Sequence, residues 1–175
     1  MPSVLFVCTG NICRSPFAER YLAHLVARSG LTDWRVESAG IGALVGRPMD
    51  AGMRAELEAR GGSADGFVAR QVDFRMPTRF DVVVTMERRH RQWVLEDHPA
   101  LHRRVVTLGQ LADAVAQAGP ETSTGDLVGL ARVRRSPRAE EDIADPYRQG
   151  AAATHACARR IAGLLDTIAV RVLAP

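Results

Sequence analysis

Cys8-Thr9-Gly10-Asn11-Ile12-Cys13-Arg14-Ser15 is preceded by Val4-Leu5-Phe6-Val7 and followed by Pro16, and this arrangement decides the fold. The short apolar run is the length of a buried strand. Gly10 and Asn11 both tolerate left-handed backbone, so the strand feeds a tight loop. Pro16 sits where a helix begins, and Phe17, Tyr21, Leu22, Leu25 and Val26 recur at helical spacing until Gly30. The stretch is predicted as a strand, a loop and a helix N-terminus.

The same alternation continues outward. Trp34 to Ala39 reads as a strand, Met49 to Arg60 as a helix closed by Gly61-Gly62, Phe80 to Thr85 as a β-branched strand, and Glu87 to Glu96 as a short helix. Arg104 to Thr107 is a fourth strand, and the pattern from Tyr147 to about Val172 is a closing amphipathic helix, with His155, Ala158, Ile161, Ala162, Leu165 and Ile168 near one face. Strands alternating with helices predict a single α/β domain over residues 1–175, a four-stranded parallel sheet with helices on both faces in a Rossmann-like three-layer arrangement. The stretch at about residues 112–142 departs from this order. Gly119-Pro120-Glu121-Thr122-Ser123-Thr124-Gly125 has turn composition and precedes Arg132, Arg134, Arg135 and Arg138, so it is expected as a surface excursion, either a solvated loop or a basic flap near an anion site. Glu140, Glu141 and Asp142 are available to pair with those arginines.

Composition narrows the partners. The chain has 175 residues, with 23 basic against 20 acidic, a balance of +3 that carries no commitment to nucleic acid. Every basic residue is arginine. Three cysteines, Cys8, Cys13 and Cys157, form an odd set that argues against a disulfide framework and for a reducing compartment. The chain opens with Val4-Leu5-Phe6-Val7 rather than basic residues ahead of a long apolar segment, and no run approaches the roughly 20 residues of a membrane span, so a cytoplasmic location is expected. His24, His90, His98, His102 and His155 show no metal-ligand spacing, and no metal or cofactor is expected.

The chemistry concentrates in the loop, where five residues separate a cysteine from an arginine. A loop curled at a helix start turns its N–H groups inward, and the helix dipole adds partial positive charge; together they cradle a phosphate-sized dianion. Arg14 closes the cradle with a planar bidentate fork that lysine does not offer. The same field favours a thiolate, which makes Cys8 a nucleophile. Ser15 is placed to donate its hydroxyl to that sulfur, and Asn11 to adopt left-handed backbone while its amide braces the loop. Thr9, Gly10, Ile12 and Cys13 complete the anion-binding loop.

Val7 to Pro16 resembles the signature of the low-molecular-weight protein tyrosine phosphatases. The resemblance extends, in order, to Glu37-Ser38-Ala39-Gly40, Ala69-Arg70-Gln71, Thr85-Met86-Glu87 and Asp145-Pro146-Tyr147-Arg148. Gly42-Ala43-Leu44-Val45-Gly46 and Asp145-Pro146-Tyr147-Arg148 are most similar to the bacterial subgroup that works with tyrosine autokinases of exopolysaccharide and capsule export. The resemblance implies a metal-free reaction in which Cys8 attacks phosphorus and Asp145 first protonates the leaving phenolate, then activates water. It implies a phosphotyrosine protein as substrate, a tyrosine autokinase as one such partner, phosphate or vanadate as site ligands, and a monomer or weak dimer. It also implies that Cys13 forms a reversible disulfide with Cys8. Tyr147 would flank the cleft, Leu44 and Val45 would line its wall, and Ser38 would support the loop.

The departures bear on the same site. Leu44 and Val45 stand where many family members have an aromatic residue, and Phe67 stands where the family often has a histidine that braces the loop, so that brace is expected either to be missing or to come from Ser38. Asp145 follows an unusually long excursion. Three other phosphoryl-directed readings are a small-molecule phosphomonoesterase, a phosphoarginine phosphatase and a thiol-dependent arsenate reductase. Threonine tends to stand in place of Ile12 in the second of these, and further cysteines follow the middle strand in the third. A non-enzymatic anion-binding regulatory module would need neither Cys8 nor Asp145.

Overall fold

Strand β1 (Ser3–Cys8) is buried along its whole length, and its side chains alternate between two cores. Val4, Phe6 and Cys8 enter one cluster, Leu5 and Val7 the other, the period of two that a pleated strand imposes. The computed structural model describes residues 1–118, 127–132 and 136–173. Strands β2 (Arg35–Gly40), β3 (Val82–Thr85) and β4 (Val105–Thr107) join β1 in one sheet of order β2-β1-β3-β4, every pairing parallel.

Parallel strands need crossovers, and helices therefore cover both faces. Helices α1 (Arg14–Arg28), α2 (Ala51–Glu58), α4 (Leu108–Gln117), α5 (Leu127–Arg132) and α6 (Ala151–Val172) feed the larger cluster, whereas α3 (Arg88–Asp97) packs Val94 into the smaller one. The fold is the expected α/β domain. The chain leaves β1 towards β2 on one side and later returns to β3 on the other, so the carboxyl ends of β1 and β3 form a topological switch point. Open α/β sheets place their ligand crevices there, and Cys8 is the last residue of β1.

Two boundaries differ from the sequence reading. The closing helix begins at Ala151 rather than Tyr147, because Gly150 at φ 89° turns the chain just before it. The stretch read as a surface excursion also carries core. Thr107 and Gln110 form a capping box that starts α4, whose Leu111, Ala112, Ala114 and Val115 are buried, and Leu130 and Ala131 of α5 are fully buried. Its apolar residues recur at helical spacing behind a Thr-to-Gln cap, a helix signal that the turn-rich segment after it obscured. Residues 119–126 and 133–135, with Arg134 and Arg135 of the basic-flap reading, lie outside the described residues. Asp142 is held by Arg88, at 2.8 Å from its backbone N and 3.1 Å from Nε. Among the described residues no helix is long and apolar enough to cross a membrane.

If α5 is docked as its burial implies, Leu130→Ala opens a void beneath β3. A loss of about 2–5 kcal/mol is expected from denaturant unfolding, and an unchanged midpoint would mean that α5 does not contribute to the core.

Candidate active site

The loop from Cys8 to Ser15 is laced from outside by its carbonyls. Ile41 N donates to Cys8 O, Gly42 N to Thr9 O, Leu44 N to Gly10 O and Asp50 N to Ile12 O, at 2.8–3.0 Å. In a trans peptide the N–H points opposite to the C=O. Tying these four carbonyls outward therefore turns the amides of Thr9, Gly10, Asn11 and Cys13 towards the loop's hollow. Among the described residues no acceptor takes them. Cys13 caps α1 without a side-chain hydrogen bond, so the first N–H groups of that helix face the same hollow.

Asn11 sets the loop's curvature. Its φ is 52°, and its buried amide makes three bonds: Nδ2 donates to Ser15 Oγ and Ser38 Oγ, and Oδ1 accepts from Arg70 N, each at 2.9 Å. Ser15 Oγ lies 2.9 Å from Cys8 Sγ. Ser38 passes the brace outward by donating to Glu19 at 2.5 Å, and burial pushes the Glu19 carboxyl up. Phe67 is buried under the Arg20 guanidinium, and the brace comes from Ser38 and the Arg70 backbone. Gly40 lies so close that a Cβ would fall 2.3 Å from Thr9 O; only glycine lets β2 approach the loop this nearly.

Arg14 is 1% exposed and makes three hydrogen bonds to two distant segments. Its Nη1 donates to Glu87, just after β3, and to Ile143 O at 2.8 Å; Nη2 donates to Asp145 Oδ2 at 2.8 Å. Nε is buried and, among the described residues, meets no acceptor. The segment bearing Asp145 is tied down on the way: Ile143 N donates to Met86 O, and Tyr147 N to Asp145 Oδ1. A long insertion before Asp145 therefore does not displace it.

Cys8, Thr9, Gly10, Ile12, Cys13, Arg14, Gly42, Leu44, Asp145 and Tyr147 line one hollow, about 480 Å³ of empty space counting its open mouth. Arg148 lies over the Tyr147 ring, 5.0 Å from its centre. Val45 is a correction: it does not line the hollow and is 66% exposed. The bond from Leu44 N to Gly10 O aims Leu44 at the loop, and its neighbour points to solvent. Cys8, Cys13 and Cys157 are free thiols, all buried; burial pushes the Cys13 thiol up strongly and that of Cys157 to about 12. Among the described residues no cluster of three metal-binding side chains occurs.

Sequence reasoning missed Glu87 and His90 as site residues. Burial would raise the Glu87 carboxyl, but hydrogen bonds from Arg89 and Arg14 override it and hold the group at about 2. His90 is fully buried, and its pKa is pushed down to about 4, first by burial. A charge near a loop is unremarkable in a sequence; the parallel pairing of β1 with β3 brings these residues in. The unfolded imidazole titrates near 6.5, so between that pH and about 4 the unfolded chain binds a proton that the folded one refuses. Stability is therefore expected to fall as pH drops from about 6.5 to 4, by about 3 kcal/mol at most from this group. His90→Gln should flatten that limb in urea titrations at stepped pH; an equally steep limb would place its source elsewhere.

The sequence profile of the low molecular weight phosphotyrosine protein phosphatases matches residues 3–122. The protein-tyrosine-phosphatase Wzb of Escherichia coli K12 is 38% identical over 107 residues, 61% of this chain and 69% of its own. A probable phosphatase of the same kind, AmsI of Erwinia amylovora, is 31% identical over 71% of this chain and 83% of its own. Among solved structures, Vibrio vulnificus Wzb in complex with benzylphosphonate is 25% identical and superposes over 97% of both chains with a TM-score of 0.72. Profile, relatives and fold agree: the chain belongs to the low molecular weight protein-tyrosine-phosphatase family.

Proposed function

We propose that this enzyme hydrolyses phosphotyrosine in protein substrates through a cysteinyl phosphate on Cys8. One observation carries the reading: inward loop amides and the unpartnered Nε of buried Arg14 converge on the hollow that Cys8 lines. A phosphoryl group supplies the acceptors these donors lack. Bound there, it takes the inner edge of Arg14 and frees Asp145 from that guanidinium. The Cys8 thiolate, steadied by the Ser15 hydroxyl, then attacks phosphorus; as the S–P bond forms, the P–O bond to the phenol breaks and Asp145 gives its proton to the leaving oxygen. In the second step the Asp145 carboxylate takes a proton from water, and the water oxygen attacks phosphorus. Inorganic phosphate leaves and the thiolate returns. The inward amides and Arg14 meet the charge that grows on the equatorial oxygens.

Ile12, Leu44 and Tyr147 give the mouth an apolar lining suited to an aryl group. The relatives' protein-tyrosine-phosphatase names support this choice, as does the benzylphosphonate bound by the Vibrio vulnificus protein, a phosphonate on a benzyl group. A tyrosine autokinase is one substrate of the right chemistry, and phosphate or vanadate the expected site ligands. We read residues 1–175 as one phosphatase domain acting in the cytoplasm as a monomer or weak dimer. In this reading Cys13 is the resolving thiol: peroxide converts the Cys8 thiolate to a sulfenic acid, and the Cys13 thiol displaces water to form a disulfide that external thiols reduce.

Hydrolysis of aryl phosphates and of phosphotyrosine, phosphoserine and phosphoarginine peptides, without metal, tests the reading. Turnover is expected on the aryl esters alone, blocked by vanadate and absent in Cys8→Ser; activity of that variant near wild type would reject the covalent route. Asp145→Asn should slow esters with poor leaving groups by roughly 10²–10⁴-fold and activated ones far less, and an equal loss on both would assign the acid elsewhere. After peroxide treatment, peptide mass mapping should find Cys8 linked to Cys13. Over-oxidised Cys8 alone would exclude that role for Cys13.

A further inference from the structure

The first turn of α3 holds a side chain that the mechanism above does not use. His90 is fully buried, with Nε2 2.9 Å from Thr9 Oγ1 and 3.8 Å from Glu87 Oε1. Nδ1 is also buried and, among the described residues, has no partner. Two neutral tautomers are possible. With the proton on Nδ1, a buried donor would have no acceptor. With the proton on Nε2, the donor points at the Thr9 oxygen and towards the Glu87 carboxylate. The second arrangement avoids the cost of an unmet donor, so the bond runs from His90 to Thr9.

Thr9 Oγ1 also receives Arg89 Nη2, at 3.1 Å. With donors arriving from His90 and Arg89, both lone pairs of the hydroxyl are used and its rotamer is fixed. Thr9 is peptide-bonded to Cys8, and its carbonyl is one of those tied outward, by Gly42 N. Glu87, three residues before His90, grips Arg14 at the other end of the loop. One turn of chain thus holds the loop at both ends. An apolar residue would fill the His90 site without leaving Nδ1 unpaired, so packing alone does not account for an imidazole there.

We propose that His90 is a positioning residue, which acts through an Nε2–H hydrogen bond to Thr9 to set the phosphate-binding loop beside Cys8. The groups that face it are Glu87, Arg14, Arg89 and Asp142. It touches no reacting atom. Its effect is on the alignment of the loop amides with the transition state, where a small misplacement costs up to about 10²-fold in rate.

A double-mutant cycle on the whole chain tests this. His90→Leu and Thr9→Val should each lower kcat on an aryl phosphate roughly 10- to 100-fold with KM little changed. The double variant should be no slower than either single one, and His90→Gln, whose amide N–H reaches the same oxygen, should recover most of the rate. Thr9→Val at the wild-type rate, additive losses in the double variant, or His90→Gln as slow as His90→Leu would each overturn the proposal. Long-range ¹H–¹⁵N spectra of the wild type supply a readout that survives any folding defect in the variants. The Nε2–H tautomer is expected, and the Nδ1–H tautomer would overturn the proposal. The kinetic arm rests on the phosphatase reading, but the tautomer does not. A wild type without aryl phosphatase activity but with Nε2–H bound to Thr9 would overturn the cysteinyl-phosphate route and leave the His90 bond standing; because that bond would then position nothing for catalysis, the positioning role would fall with the route.

Discussion

A buried guanidinium organises the carboxyl edge of this sheet. Arg14 is almost wholly excluded from water, and a buried charge is tolerated only when it is paired and hydrogen-bonded. Its partners come from separate elements: Glu87 from the end of β3, and Ile143 O and Asp145 from the segment before α6. Satisfying one cation thus fixes the start of α1, the turn after β3 and the carboxylate of Asp145 against one another. Glu87 in turn holds Arg89, whose guanidinium reaches the loop at Thr9. The charge is shared through a network anchored at two strand ends, and a parallel sheet delivers those ends side by side.

The loop obeys the same economy of polar groups. Four of its carbonyls are taken by backbone donors of residues 41–50, and the peptide plane decides the rest, because the amides on the far side must then face inward. Gly40 allows this approach, since any larger residue would strike Thr9 O. Asn11 is spent entirely on bracing, with a left-handed backbone and an amide that joins Ser15, Ser38 and Arg70. The hollow is therefore rich in donors, the pattern that an anion complements.

Most of this was legible in the sequence because it is local. The apolar run, the tight loop and Pro16 place Cys8 and Arg14 within one strand-loop-helix unit, and β-branched runs mark the other strands. Asn11, Ser15 and Ser38 could be assigned because their side chains offer few alternatives. What was hidden depends on pairing between distant segments. His90 reads as one polar residue on an Arg-rich helix until β3 is set beside β1, and Val45 is indistinguishable from Leu44 until the bond from Leu44 N to Gly10 O decides which of the two faces inward. The helix α4 was obscured for a different reason. Its cap and apolar spacing are present, but the Gly-Pro segment that follows drew the whole region into a loop reading.

The Arg14–Asp145 ion pair bears on how the proposed acid and the cradle would be coupled. On the proposed function, Asp145 and a phosphoryl group would compete for the same edge of Arg14: the carboxylate holds Nη2, and among the described residues Nε beside it meets no acceptor. A ligand that takes both nitrogens gains the bidentate geometry that a single carboxylate oxygen does not supply, and it does so without breaking the Glu87 and Ile143 contacts that hold the other nitrogen. In that reading binding would leave the guanidinium in place and release the partly exposed carboxyl, whose other oxygen accepts from Tyr147 N. On the proposed function, Arg14 would thereby couple anion binding to release of the acid. Leu44, Ile12 and Tyr147 line the hollow with Asp145, so on the proposed function the buried network would carry the chemistry and these three residues the choice of ester.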